Sequence, residues 1–143
     1  MDPSPPIFER DPRAILIVRL SARGDVMFAT PIIRALRKRW PRAHLSWVVE
    51  PKSSDVVLNH PGLDEVIVWD RDQWKGWLRA GRLGRLRRAA LGLRETLLER
   101  SYDLAIDMQG LLRSGIVARA SGAPVCISLG PQEGSGLLMT HRY

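Results

Sequence analysis

Residues Ala14 to Val26 read "AILIVRLSARGDV", and this stretch decides the fold. Its first seven residues form a nearly continuous apolar run, the pattern of a strand covered on both faces. Such a strand belongs to a parallel sheet with helices on either side. The polar turn "SARGD" follows at once. From Val26 to Trp40 the apolar positions Val26, Ala29, Ile33, Leu36 and Trp40 then step by three and four, which is a helical spacing. Pro31 lies inside that segment. It predicts either a kink or a restart, with Thr30 as N-cap and Pro31 at the first helical position.

The same alternation continues along the chain. "HLSWVVE" (44–50), "EVIVWD" (65–70), "DLAIDM" (103–108) and "PVCISL" (124–129) are predicted strands. Between them come a short helix ending at "NHPG", a long helix over 79–100 and a helix in "LLRSGIVARAS". The long helix carries Leu83, Leu86, Ala90, Leu93 and Leu97 on one face, and Gly81, Gly84 and Gly92 each weaken it by about 1 kcal/mol. Alternation of this kind predicts an α/β fold with an open, parallel, Rossmann-like sheet. Residues 1–12, "MDPSPPIFERDP", read as a flexible proline-rich arm, and 13–143 as one domain. After the fifth strand, "GPQEGSGLLMTHRY" offers no helix to cover the sheet, the pattern of a domain cut short.

Composition narrows the function classes. Of 143 residues, 45% are hydrophobic and 26% charged, as in ordinary globular proteins. No apolar run approaches the roughly 18 residues that cross a bilayer, and the first residues lack the basic and apolar regions of a signal peptide. The single cysteine, Cys126, excludes an internal disulfide and, within "APVCISL", reads as an inert buried thiol. A cytoplasmic protein is the expectation. The formal net charge of +7 comes almost entirely from arginine, since lysine occurs only at 38, 52 and 75. Guanidinium suits phosphate and carboxylate oxygens.

Open parallel sheets bind ligands beyond the carboxyl ends of their strands, where the strand order reverses. In an order 3-2-1-4-5 that point lies between the first and fourth strands, and the loops meeting there are "SARGDV" and "DMQGLLRS". Asp25 is either an N-cap for the helix that follows or a general base at the crevice. Gly24 serves either a positive-φ turn or a close approach of backbone to ligand. In the second loop Asp107 caps the next helix or faces the crevice. Gln109 and Ser114 could bond sugar hydroxyls, and Arg113 could hold an anion or lie solvated.

"WKGWLRAGRLGRLRR" (74–88) is a third candidate. It reads as a solvated basic helix preceded by a loop with two tryptophans, as a contact for a phosphorylated substrate, or as a seat on an anionic membrane surface. Other chemistries lack their motifs. There is no G-x-G-x-x-G after the first strand, no P-loop and no G-x-S-x-G elbow. His44, His60 and His141 have no metal-ligand spacing, so no metal is expected. No nucleic-acid motif is present either.

Three blocks, "ILIVRLSARGDVMFATPIIRALRKRWPRAHLSWVVEP", "HPGLDEVIVWDRDQW" and "LRETLLERSYDLAIDMQGLLRSGIVARASGAP", stand in the order and spacing of a known family. From about Arg13 onward the chain resembles the N-terminal domain of glycosyltransferase family 9, the lipopolysaccharide heptosyltransferases. "DMQGLLRS" is most similar to the heptosyltransferase I group. The resemblance implies one half of a GT-B architecture: an acceptor domain for the Kdo-lipid A inner core, facing a C-terminal domain that binds ADP-heptose. It implies inverting transfer without a metal or other cofactor. The family's S-x-x-G-D loop falls on Ser21, Gly24 and Asp25, with Asp25 the implied catalytic base. Its D-x-Q-G-L-x-[KR]-S segment falls on Asp107, Gln109, Gly110, Leu111, Arg113 and Ser114, on the acceptor side. Arg23 stands where the family often has a small or apolar residue. The donor domain is not in this sequence, so the chain alone is expected to be inactive. The resemblance also implies a cytoplasmic place, peripheral on the inner membrane.

Overall fold

The computed structural model describes Phe8, residues 10–129 and residues 139–142. The predicted α/β alternation is present. The strands are β1 (Ala14–Val18), β2 (His44–Val49), β3 (Glu65–Val68), β4 (Leu104–Asp107), β5 (Val125–Ser128) and β6 (His141–Arg142). They form one sheet in the order β3-β2-β1-β4-β5-β6, every neighbouring pair parallel. β1 lies near the middle, with Ile17 in register with Trp47 on one side and with Ile106 on the other.

All five β1 residues are buried, as the apolar run requires. Alternate side chains serve opposite faces. Ile15 and Ile17 pack with Val26, Ile33 and Leu36 from α1 (Arg23–Ala29) and α2 (Pro31–Arg39). Leu16 and Val18 pack with residues of α4 (Leu83–Glu99) and α5 (Leu112–Ala120), including Leu97, Val117 and Ala118. The sheet is therefore doubly wound. Cys126 is in this second layer, and burial pushes its thiol pKa up, which outweighs the pull of Arg119.

Three helical expectations change in detail. Between Arg23 and Arg39 the helix restarts at Pro31, as one of the two alternatives had it, but Thr30 is not a side-chain cap. Thr30 keeps a helical backbone, and its hydroxyl donates to the Met27 carbonyl at 2.8 Å. The region read as a loop with two tryptophans followed by a helix from 79 is a helical hairpin. α3 (Arg71–Arg79) begins at Asp70, whose carboxylate accepts the Gln73 N–H at 3.0 Å. Gly81, at φ +69°, then breaks the chain before α4. A residue with a side chain is strained in that conformation, so the turn falls where the glycine is. The predicted short helix before "NHPG" is a 3-10 turn over Pro51–Val56. Most of "GPQEGSGLLMTHRY", where the sequence offers no covering helix, lies outside the described residues.

Carboxylates fasten the amino ends of the strands. Asp103 accepts the Arg13 N–H at 2.7 Å and the Ala14 N–H at 3.2 Å. Asp64 accepts the Leu45 N–H at 2.8 Å and pairs with Arg37 at 3.0 Å. Trp40 Nε1 donates to Asp11, and Phe8 meets the Trp40 ring edge-on, so part of the N-terminal segment rests against this end.

For Asp64, burial pushes the carboxyl pKa up, but the Leu45 N–H and the Arg37 guanidinium outweigh it, leaving the pKa below the usual 3.8. The folded state thus holds the ionised form better than the unfolded chain does. That stability is complete above the unfolded value and is lost as pH falls through the folded one. Urea unfolding midpoints should therefore drop below about pH 4. The drop should be shallower for Asp64→Asn, which has nothing to titrate at this position.

Candidate functional site

The chain builds β1, β2 and β3 outward in one direction and β4, β5 and β6 in the other, so strand order reverses between β1 and β4. The carboxyl ends of these two strands release the loops singled out from the sequence. Hydrogen bonds stitch the loops together. Gln109 Oε1 accepts the Leu20 N–H at 2.8 Å and the Ser21 N–H at 3.2 Å. From the other side, Arg19 Nη1 donates to the Met108 carbonyl at 2.7 Å.

Asp25 is not the N-cap of α1. That position belongs to Ala22, and no side-chain cap bond is made. Asp25 lies in the first turn, where a carboxylate is favoured by the helix dipole. Its Oδ2 pairs with Arg19 Nη2 at 3.2 Å, and its side chain is 58% exposed against 19% for Arg19. A largely buried guanidinium thus holds an open carboxylate at the mouth of the crevice. Gly24 does not have positive φ, which removes the turn explanation. A Cβ built there meets nothing within 4 Å, so the backbone is open to close approach. Arg23 turns aside to pair with Asp55 of the 3-10 turn.

The second loop divides into groups that build it and one that stays available. Asp107 is fully buried, and its Oδ1 accepts the N–H groups of Gln109 and Gly110, both at 3.0 Å. It shapes the turn and does not cap α5, whose N-cap is Leu111. Gly110 sits at φ +73°, a conformation that favours glycine. Ser114 is buried, its hydroxyl donating to the Leu111 carbonyl at 2.8 Å and accepting the Leu111 N–H at 3.1 Å. The sugar contacts expected of Ser114 and of the Gln109 carbonyl oxygen therefore have competitors already in place. Arg113 differs: it is half-buried on the first turn of α5, and its Nε has no hydrogen-bond partner among the described residues.

Asp25 on the first loop and Arg113 on the second thus stand on two loops that Arg19 and Gln109 join. A carboxylate able to take a proton and a guanidinium able to hold an anion are complementary tools for reaction at a hydroxyl beside an acidic group. Arg19 was not among the residues expected at the site. The signal is there, since it is the one charged residue in "AILIVRL", and a buried charge needs a partner. Among the described residues, no group of three or more His, Cys, Asp or Glu could hold a metal ion. None of their helices is long and apolar enough to cross a membrane.

Residues 90–142, which contain the second loop, match the profile of glycosyltransferase family 9 (heptosyltransferase). A lipopolysaccharide heptosyltransferase 1 from Pseudomonas aeruginosa is 33% identical over 113 residues, covering 76% of this chain and 30% of the relative. Over these stretches the chain is similar to glycosyltransferase family 9. The lipopolysaccharide core heptosyltransferase OpsX of Haemophilus influenzae is 24% identical over 140 residues, 96% of this chain and 37% of that protein. The chain thus spans about a third of the length of these relatives. Two solved structures share its fold. The Escherichia coli heptosyltransferase WaaC with ADP has a TM-score of 0.77 at 24% identity, over 91% of this chain and 41% of that one. A family 9 glycosyltransferase from Veillonella parvula has a TM-score of 0.72 at 24% identity, over 92% and 36%. Fold and family agree with the resemblance carried by the three sequence blocks.

The stitch between the family 9 loops has a measurable consequence. Gln109→Leu leaves the Leu20 and Ser21 N–H groups without their acceptor. It should lower unfolding stability by about 1–3 kcal/mol and raise amide exchange at these two residues above that of their β1 neighbours.

Proposed function

We propose that this chain is the acceptor-binding half of an inverting glycosyltransferase that moves heptose from ADP-heptose to the Kdo-lipid A inner core of lipopolysaccharide. The observation that carries this reading is Asp25, held by Arg19 at the switch between β1 and β4 and open on its outer side. In the proposed step Asp25 takes the proton of the acceptor hydroxyl. The hydroxyl oxygen attacks the anomeric carbon from the face opposite the nucleotide. The bond from that carbon to the diphosphate oxygen breaks, and ADP leaves with the electron pair. Arg113 holds an acidic group of the acceptor so that the hydroxyl meets Asp25. Ser21 and Gly24 line the approach, while Asp107, Gln109, Gly110 and Ser114 hold the second loop in shape. The names of the relatives, which are lipopolysaccharide heptosyltransferases, support the choice of sugar and acceptor. In this reading the reaction is assigned to the cytoplasm.

ADP-heptose is assigned to a second domain, which lies outside this sequence. Near-attack geometry needs both substrates fixed at once, so this half alone should bind acceptor without turning it over. A polypeptide joining this chain to a family 9 donor half is the material for the test. Asp25→Asn should lower kcat by about 10²–10⁴-fold with acceptor binding and fold retained. Near-wild-type transfer by that variant would remove Asp25 from the role of base. No transfer by the joined wild-type polypeptide, with acceptor still bound, would favour the other reading, a non-catalytic module for an anionic glycolipid.

A further inference from the structure

The charge of this protein has one address. Residues 71–94 hold eight arginines and lysines against a single aspartate, a net +7, and the rest of the chain carries fourteen charges of each sign. That segment is α3, the Gly81 turn and most of α4. From Lys75 to Arg94 all seven basic side chains are exposed, and none makes an ion pair among the described residues. The one aspartate, Asp72, is within 3.9 Å of Lys52.

The hairpin is also poorly buried. No residue of α3 is buried, and Leu97 is the one residue of α4 that is. Its inner side clings to the sheet through Trp74, which meets Trp69 edge-on at 5.4 Å, and through Leu93. At the tip, Leu78 and Leu83 flank the turn and are 58% and 60% exposed. Arg79, Arg82 and Arg85 alternate with them. Exposed aliphatic side chains ringed by guanidinium groups match the two layers of an anionic bilayer surface, acyl boundary and phosphate headgroups. A single-stranded nucleic acid would satisfy the arginines, but it stacks its bases on aromatic faces and gives the leucines nothing to bury against.

We propose that the α3–α4 hairpin seats this protein on an anionic phospholipid bilayer, with Leu78 and Leu83 in the acyl boundary and Arg79, Arg82 and Arg85 at the phosphates. This rests on the hairpin alone and stands or falls apart from the transfer reaction. It has a consequence for the crevice. α3 starts directly behind β3 at the carboxyl end of the sheet, where Arg71 pairs with Glu50 at 2.9 Å. The Glu50 N–H in turn donates to the Leu20 carbonyl at 3.0 Å, beside the Asp25 loop. A lipid seat is thereby tied to the end of the sheet where a lipid-linked acceptor would be met.

The test is co-sedimentation of the whole chain with vesicles of phosphatidylcholine containing about one-third phosphatidylglycerol, and with pure phosphatidylcholine. Binding should need the anionic lipid and weaken as salt rises from about 0.05 to about 0.5 M. The triple variant R82E/R85E/R88E should lose about 100-fold in partitioning, and L78S/L83S about tenfold. Circular dichroism should show both folded, since every changed side chain is exposed. Reversing Arg34 and Lys38, exposed on α2, should cost much less than the hairpin reversal. Equal binding to neutral vesicles, wild-type binding by both hairpin variants, equal loss from the α2 reversal, or tighter binding to a single-stranded RNA oligomer would each overturn the proposal.

Discussion

Arg19 is where the site is held together. Its backbone carbonyl accepts the Nε1–H of the buried Trp47 at 3.1 Å, which ties it to β2. Its guanidinium bonds the Met108 carbonyl beyond β4 and the Asp25 carboxylate on α1. One side chain thus fixes the spacing of three elements, and the open carboxylate inherits its position from that spacing. Placing a guanidinium among apolar strands is costly unless its charge and its hydrogen bonds find partners. Asp25 supplies the charge and Met108 a carbonyl for the two terminal nitrogens, while the buried Nε has no partner among the described residues. The loops consequently cannot drift apart without stranding a half-buried cation.

The polar groups of the two loops therefore divide by burial. Asp107, Ser114 and the Gln109 carbonyl oxygen are consumed by backbone N–H and C=O groups that the loops would otherwise leave unpaired. Asp25 keeps capacity facing outward, and Arg113 keeps a buried Nε without a partner among the described residues. A motif such as D-x-Q-G-L-x-R-S thus records two kinds of constraint at once, the shape of a turn and the chemistry it presents. Mutations of the first kind should act through stability, and those of the second through binding or turnover.

Much of the fold was legible because burial on both faces of a parallel strand leaves a continuous apolar run, and β1 is such a run. The order 3-2-1-4-5 was a premise that alternation alone does not fix; the structure has it, with the short β6, which the sequence reading did not include, added beside β5. Of the α3–α4 hairpin, α4 was legible from its leucine spacing, whereas α3, which buries no residue, was read as a loop. Asp70 and Gly81, which start the hairpin and break it, are local signals that a reading by periodicity passes over. At the site, the positions of Asp25, Gln109 and Arg113 were legible. The use of each was not, because a sequence does not show which oxygens the backbone has already claimed. Arg19 was hidden within a strand pattern that reads as purely structural.

The measurement that bears most directly on this account is a two-dimensional amide NMR titration of the chain with a Kdo-lipid A headgroup analogue. The account predicts shifts concentrated at Ser21 to Val26 and at Gly110 to Arg113, with β3 and α2 unmoved. A well-dispersed spectrum that the analogue leaves unchanged, or shifts that avoid both loops, would contradict it.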